Sequence, residues 1–335
     1  MAVVGKTYLN LKDKLSQTEN GKVTSTIIDL IAADNVVIED AIVVECNEGS
    51  HHKTTVRNGL PTIQFRKFYQ GVAPSKSEHT QITETTGMLE AYSQVDKALA
   101  DLNGDKDQFR LNEATAFIQG MNKTVQENIF YGNKGTNDAT FDGLAVRYKE
   151  YSDKKDTVGY QVINAGGTGN NNTSIWFVGW GELNTHLLYP KGSQAGLKHE
   201  DKGVQTTTDS NGNMYDVYRD KFSWDVGLAV RNYKSNVRIA NIDVTKLEGE
   251  DAIDLITLMV KAYHRFVKHA KNTKNVIYVT DTIATYLHLQ AAEKKNVNLT
   301  MGEFAGQPVV KFLGIPVKTC DYLIDNEQAV PAAKK

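Results

Sequence analysis

Asp209-Ser210-Asn211-Gly212-Asn213 sets side-chain oxygens close together, the residue types that bind calcium. A calcium loop places its glycine sixth and a bidentate Glu twelfth. Here the glycine is fourth and the twelfth residue is Asp220, so the run reads as a tight turn. Gly167-Thr168-Gly169 begins like the glycine fingerprint that lets backbone approach a pyrophosphate, but its sixth position is Asn172. No phosphate loop closed by Gly-Lys-Ser/Thr occurs. In Gly192-Ser193-Gln194-Ala195-Gly196 the serine directly follows the glycine, which breaks the nucleophile elbow. His51 and His52 are adjacent and point to opposite faces of a strand, poor geometry for one metal. His264 and His269 stand five apart on a helix, His288 stands alone, and none has a carboxylate or cysteine at ligand spacing. Trp176, Phe177 and Trp180 could stack on a sugar or base, yet a strand this apolar reads as core. Cys46 and Cys320 form no Cys-x-x-Cys and read as intracellular thiols. The pattern predicts no enzyme, no cofactor and no bound metal.

With chemistry set aside, the residues must serve structure. The 335-residue chain is 40% hydrophobic, enough for a folded core of two or so domains. Its net charge of −2 argues against a binder that neutralises many phosphates. Met1-Ala2-Val3-Val4-Gly5-Lys6 lacks a basic region followed by an apolar core, and no run approaches the roughly eighteen apolar residues of a membrane span, so a cytoplasmic product without a signal peptide is expected.

The strongest local signal is a helix over 109–131, with Leu111, Ala114, Ile118, Met121 and Val125 on one stripe and Gly132-Asn133 as its stop. A short helix is expected over 25–34, then an extended 36–46. Residues 133–173 are loop-rich. Strands are expected at 175–180, 215–218, 224–230 and 237–244. A second helix over 251–268 would turn Ile253, Ile256, Val260, Tyr263 and Val267 inward. A strand at 276–279 leads to a third helix with Ile283, Leu287 and Ala291 inward, and 309–317 is extended with a turn at Gly314-Ile315-Pro316. The sum is an α+β chain with extended appendages at its front.

The foremost appendage runs from His51 to Val95. Thr62, Gln64 and Arg66 alternate with Ile63, Phe65 and Lys67, and 80–86 alternates in return. An isolated ribbon is marginally stable in water, so this one needs a buried face from elsewhere. Residues 51–77 carry Lys53, Arg57, Arg66, Lys67 and Lys76 and no carboxylate. Residues 78–107 carry Glu78, Glu84, Glu90, Asp96, Asp101, Asp105 and Asp107 against Lys97 and Lys106. The segregation fits docking to another chain and equally fits pairing between the two limbs.

Several blocks resemble a known family in order and spacing across about 45–325: Arg57-Asn58-Gly59-Leu60-Pro61-Thr62, Glu84-Thr85-Thr86-Gly87-Met88-Leu89-Glu90, Phe109-Arg110-Leu111-Asn112-Glu113-Ala114, Leu188-Tyr189-Pro190-Lys191-Gly192-Ser193, Trp224-Asp225-Val226-Gly227-Leu228 and Leu313-Gly314-Ile315-Pro316-Val317. The chain resembles the major capsid proteins of short-tailed bacteriophages, whose shell fold is named after phage Hong Kong 97. That resemblance implies an amino-terminal arm (1–49), an extended loop (50–98), a peripheral domain (99–145 and 215–250) with its spine helix, an axial domain (251–318) and a carboxyl-terminal segment (319–335). Residues 146–214 stay unplaced. It further implies self-assembly as pentamers and hexamers around packaged double-stranded DNA, with a scaffolding protein, a portal and a decoration protein as partners and no membrane.

A shell requires heterologous contacts that close. The inter-subunit set expected here is Arg57, Arg66 and Lys67 against carboxylates, with Ile63, Phe65 and Ile82 as apolar anchors and Glu84 as an acidic counterpart. Two rival readings are an encapsulin-like compartment of the same fold and a β-rich carbohydrate-binding or adhesion module resting on Trp176 and Trp180.

Overall fold

The computed structural model describes residues 18–19, 22–23, 35–247, 253–267, 270, 273–292, 299–304 and 307–334. The expected helix at 25–34, most of the expected arm, and His269 lie outside the described residues. In chain order the elements are β1 (Thr18–Glu19), β2 (Lys22–Val23), α1 (Val36–Asp40), β3 (Val43–Glu45), β4 (His51–Gly59), β5 (Glu78–Asp96), α2 (Lys97–Asp101), α3 (Lys106–Tyr131), α4 (Leu144–Arg147), β6 (Val162–Asn164), β7 (Asn172–Trp180) and β8 (Thr185–Tyr189). There follow β9 (Lys198–Thr208), β10 (Met214–Val230), β11 (Asn236–Asp243), α5 (Leu255–Val267), β12 (Lys274–Val279), α6 (Asp281–Ala292), β13 (Leu299–Phe304), β14 (Gln307–Phe312) and β15 (Ile315–Thr319).

One sheet runs β13-β14-β15-β12-β7-β8-β10-β5-β4, with β11 on β7 and β9 on β10. Every residue of β7 is buried. Its two-residue repeat feeds two cores. Trp176, Val178 and Trp180 pack with Met121, Val125 and Ile129 of α3. Ile175 and Phe177 pack on the other side with Met259 and Phe266 of α5 and with Ile283 and Leu287 of α6. Strand β12 divides in the same way, Val276 and Tyr278 facing one cluster and Ile277 and Val279 the other. The segment 146–214 therefore supplies the middle of the sheet.

Helix α3 departs from its expected stripe. Met121 and Val125 are buried, but Leu111 and Ile118 are exposed, and Phe109, Ile129 and Phe130 are buried instead. Phe117 stacks on Phe222 of β10 at 5.6 Å. The buried set keeps Met121 and Val125 of the expected stripe and adds larger aromatic area from Phe109 and Phe130, which burial against the sheet favours. On α5 the buried set is Leu255, Ile256, Met259, Ala262 and Phe266, with Ile253, Val260 and Tyr263 half-buried on its flank. The run expected as two strands at 215–230 is the single strand β10, and β8 and β9 were not expected. The β14–β15 turn is Leu313-Gly314, one residue earlier than expected; φ values of 46° and 84° suit a two-residue hairpin.

Candidate assembly surface

Strand β4 pairs with the first half of β5, from His51 opposite Thr85 to Gly59 opposite Glu78. Between them, residues 60–77 form no strand, contrary to the alternation of Thr62–Lys67. Pro61 has no N–H to give a ladder, and the returning limb holds Pro74. The Ser75 hydroxyl donates to the Thr62 carbonyl at 2.9 Å across the neck. At the turn, Tyr69 takes a left-handed φ of 63°.

This tip exposes a concentrated apolar surface. Ile63 is 89% and Phe65 107% exposed, and Leu60, Phe68 and Tyr69 are equally open. Arg57, Arg66 and Lys67 are exposed as well, and Ile82 is half-buried on the ribbon opposite Thr54. Among the described residues no ion pair joins the two limbs. Lys53 instead meets Glu48 at 2.6 Å, and Glu90 meets Lys221 at 2.6 Å. Pairing between the limbs thus does not account for the charge segregation.

The ribbon also finds part of its missing face within its own chain. From Thr86 to Asp96, β5 pairs with Gly227 to Val217 of β10. Gly87 sits where ribbon becomes sheet, and a Cβ there would lie 2.8 Å from the Ala139 carbonyl oxygen. Glu84, expected on an inter-subunit contact, is buried in this root. Both its oxygens accept from Arg147, at 2.5 and 2.7 Å, and Arg147 also donates to the Leu228 carbonyl at 3.0 Å. Its tertiary partner removes Glu84 from the exposed set.

Opposite Glu84, His52 is buried against Arg231, whose Nη2 lies 2.6 Å from His52 Nε2. A guanidinium only donates, so this imidazole is neutral with Nε2 as acceptor. His186 meets His52 edge-on with ring centres 5.8 Å apart. Burial, then Arg231, holds His52 below the usual imidazole range. Burial, then Arg231 and His52, lowers His186 to about 4.

The chemical templates resolve into structure. Asp209 Oδ1 accepts from the backbone N–H groups of Asn211 and Asn213, both at 2.8 Å, in the β9–β10 turn. Trp176 and Trp180 are fully buried, and Trp180 Nε1 donates to the Tyr278 hydroxyl at 2.9 Å, leaving no ring face for a sugar. Cys46 and Cys320 are buried free thiols, each pushed up to about 11 mainly by burial. Among the described residues, no helix is long and apolar enough to cross a membrane.

One buried cluster escaped the sequence. Arg238 of β11 meets Glu327 at 2.9 Å and donates from Nε to the Ser174 hydroxyl at 3.0 Å. Tyr131, ending α3, donates its hydroxyl to Glu327 Oε1 at 2.7 Å. The cluster pins the carboxyl segment to the sheet and to α3. Its only sequence signal is an arginine inside the apolar run 237–242.

Comparison with known proteins agrees with this architecture. The family model for major capsid protein GP7 matches residues 18–331. A chain of the bacteriophage Epsilon15 cryo-EM structure is 37% identical, with a TM-score of 0.76 over 99% of this chain and 100% of that one. The bacteriophage JBD30 capsid chain shares the fold at 11% identity, with a TM-score of 0.52 over 88% of this chain and 93% of that one. Comparison with curated protein sequences gave no match. The fold is of the Hong Kong 97 type, and the protein is a capsid shell component that assembles with copies of itself. The chain, with its two-core sheet, long helix and projecting ribbon, belongs to the major capsid protein GP7 family.

Proposed function

We propose that copies of this chain close into pentamers and hexamers of an icosahedral shell around double-stranded DNA, each copy laying its loop 50–98 against a neighbour. The observation that carries this reading is the tip itself: Ile63, Phe65, Phe68 and Tyr69 stand open to water beside Arg57, Arg66 and Lys67. Each large apolar side chain gains about 1.5–3 kcal/mol when fully buried, so a cluster this exposed marks an interaction site. A head-to-tail contact, tip of one copy on body of the next, is the heterologous type that closes rings. Arg57, Arg66 and Lys67 supply charge, Ile63 and Phe65 the anchors, and Ile82 the flank.

In this reading residues 1–49 are an arm, 99–145 and 215–250 the peripheral domain, 251–318 the axial domain and 319–335 a carboxyl segment, with 146–214 shared through β7 and β8. The work of the chain is structural, without catalysis or cofactor. Assembly takes place in the host bacterial cytoplasm with a scaffolding protein and a portal, and a decoration protein joins the shell. A near-neutral chain suits a wall that holds DNA weakly and without sequence preference. Electron microscopy of the expressed protein tests the reading: shells or capsomers are expected, and a lasting monomer at high concentration overturns it.

A further inference from the structure

The ribbon made by β4 and the first half of β5 meets the body at a narrow joint. Past Thr85, strand β5 leaves β4 and takes β10, so the ladder of the ribbon ends where the sheet begins. At that change of partner Gly87 lies opposite Val226, and Gly227 lies opposite Thr86. A Cβ on Gly227 would stand 2.7 Å from the Thr85 carbonyl oxygen, so bare backbones touch at the joint. Side chains of the body reach the ribbon here through Arg147 on Glu84, Lys134 Nζ on the Thr85 hydroxyl at 3.3 Å, and Arg231 on His52.

The last of these contacts is conditional. A guanidinium only donates, so His52 Nε2 accepts from Arg231 only while the ring carries a single proton. Around that ring stand Arg231 beyond β10, His186 of β8 set edge-on at 5.8 Å, Glu84 on the paired strand, and Arg147 of α4 bound to Glu84. A second proton on each imidazole would set four cations, His52, His186, Arg231 and Arg147, against this one carboxylate. Water cannot relieve them in place, since His52 is 3% and His186 0% exposed. The docked joint also leaves His52 Nδ1, Thr54 Oγ1 and Arg231 Nε buried with no hydrogen-bond partner among the described residues. Each of these atoms gains bonds to water if the ribbon moves out.

We infer that this joint is an acid-operated latch: with His52 and His186 neutral the ribbon is docked on the body, and with both protonated it swings out about Thr86–Gly87 as a lever. The β4–β5 ladder survives the movement, because its pairs from His51–Thr85 to Gly59–Glu78 all lie on the ribbon side of the joint. From Thr86 onward β5 stays on β10. Burial and Arg231 lower both rings, so the latch is closed at neutral pH and opens well into acid. Its consequence is the angle at which the apolar tip is presented. The inference itself needs only the single chain, and it stands apart from the proposed shell.

The test is the distance between spin labels on Gln81→Cys in the ribbon and Leu183→Cys on the body, in the full chain diluted with unlabelled protein. Both positions are exposed, and the native thiols Cys46 and Cys320 are buried. A control pair, Lys149→Cys with Leu183→Cys, lies wholly on the body. The ribbon pair is expected to give one narrow distance at pH 7.5 and a longer population at pH 4, reversibly, while the control pair keeps one distance at both. Adding His52→Gln and His186→Phe is expected to hold the ribbon pair at its neutral distance in acid, because the glutamine oxygen still accepts from Arg231 and takes up no proton. An unchanged ribbon distance at pH 4 in the otherwise native chain overturns the inference. Equal broadening of the control pair overturns it too, as general unfolding, and so does an acid response that survives both substitutions, which makes Glu84 the sensor. Should the doubly substituted chain not fold, His52→Gln alone takes its place, and an undiminished response overturns the latch.

Discussion

Arg231 donates to His52 across 2.6 Å at the root of the ribbon, so a permanent cation and a buried titratable ring share one partly buried hydrogen bond. The bond exists only while His52 is neutral. Glu84 with Arg147 lies across the strand pair, and His186 closes the cluster from β8.

Acid should loosen this root. His52 and His186 both titrate lower when folded than when unfolded. Their contribution to stability is present above the unfolded imidazole value of about 6.5 and is lost as pH falls below it. For His186, lowered to about 4, the loss between pH 7 and 4 is on the order of 3 kcal/mol. Urea titrations at pH 7 and 4.5 are expected to show a clear drop in midpoint that His186→Phe flattens. Hydrogen exchange of β4 amides should rise over the same interval.

Removing Arg147 should cost more than removing Glu84. Arg147→Met leaves a buried carboxylate without its partner, worth about 3–5 kcal/mol. Glu84→Gln leaves Arg147 its carbonyl acceptors at Asp142 and Leu228, so a smaller loss is expected. Denaturant midpoints of the two variants give the order directly.

The clamp between Arg238 and Glu327 makes a parallel case with a different remedy. Arg238→Met alone should cost about 3–5 kcal/mol, because Glu327 is as buried as its partner. Adding Glu327→Leu removes the stranded charge and should recover a large share. A double-mutant cycle on thermal unfolding measures the coupling.

Substitutions at the tip should separate assembly from folding. Phe65→Ser and Arg66→Glu touch fully exposed side chains, so monomer stability should stay within about 0.5 kcal/mol. Particle yield and salt resistance should fall for both. Sedimentation of assembled against unassembled protein reads the difference.

Local patterns made much of this molecule legible. The span of α3, the buried character of Ile175–Trp180, the turn at Asp209–Asn213 and the inward Ile283 and Leu287 each follow from residues within one turn or one strand of each other. The exposed basic and apolar tip was visible in composition for the same reason: nothing nearby in the chain balances it.

What the sequence by itself determined, then, is the long helix α3, the apolar character of β7, and that the ribbon carries segregated charge. Tertiary structure alone decided which stripe of α3 faces inward, that β5 changes partner from β4 to β10 at Thr86, and that Glu84 belongs to Arg147. Periodicity constrains a side chain only relative to its own backbone. The partner of Glu84 lies 63 residues away and that of Arg238 lies 89 away. At such separations nothing in local spacing selects one partner over another. The choice is made by packing two apolar faces onto one sheet and by the cost of leaving any buried charge unpaired.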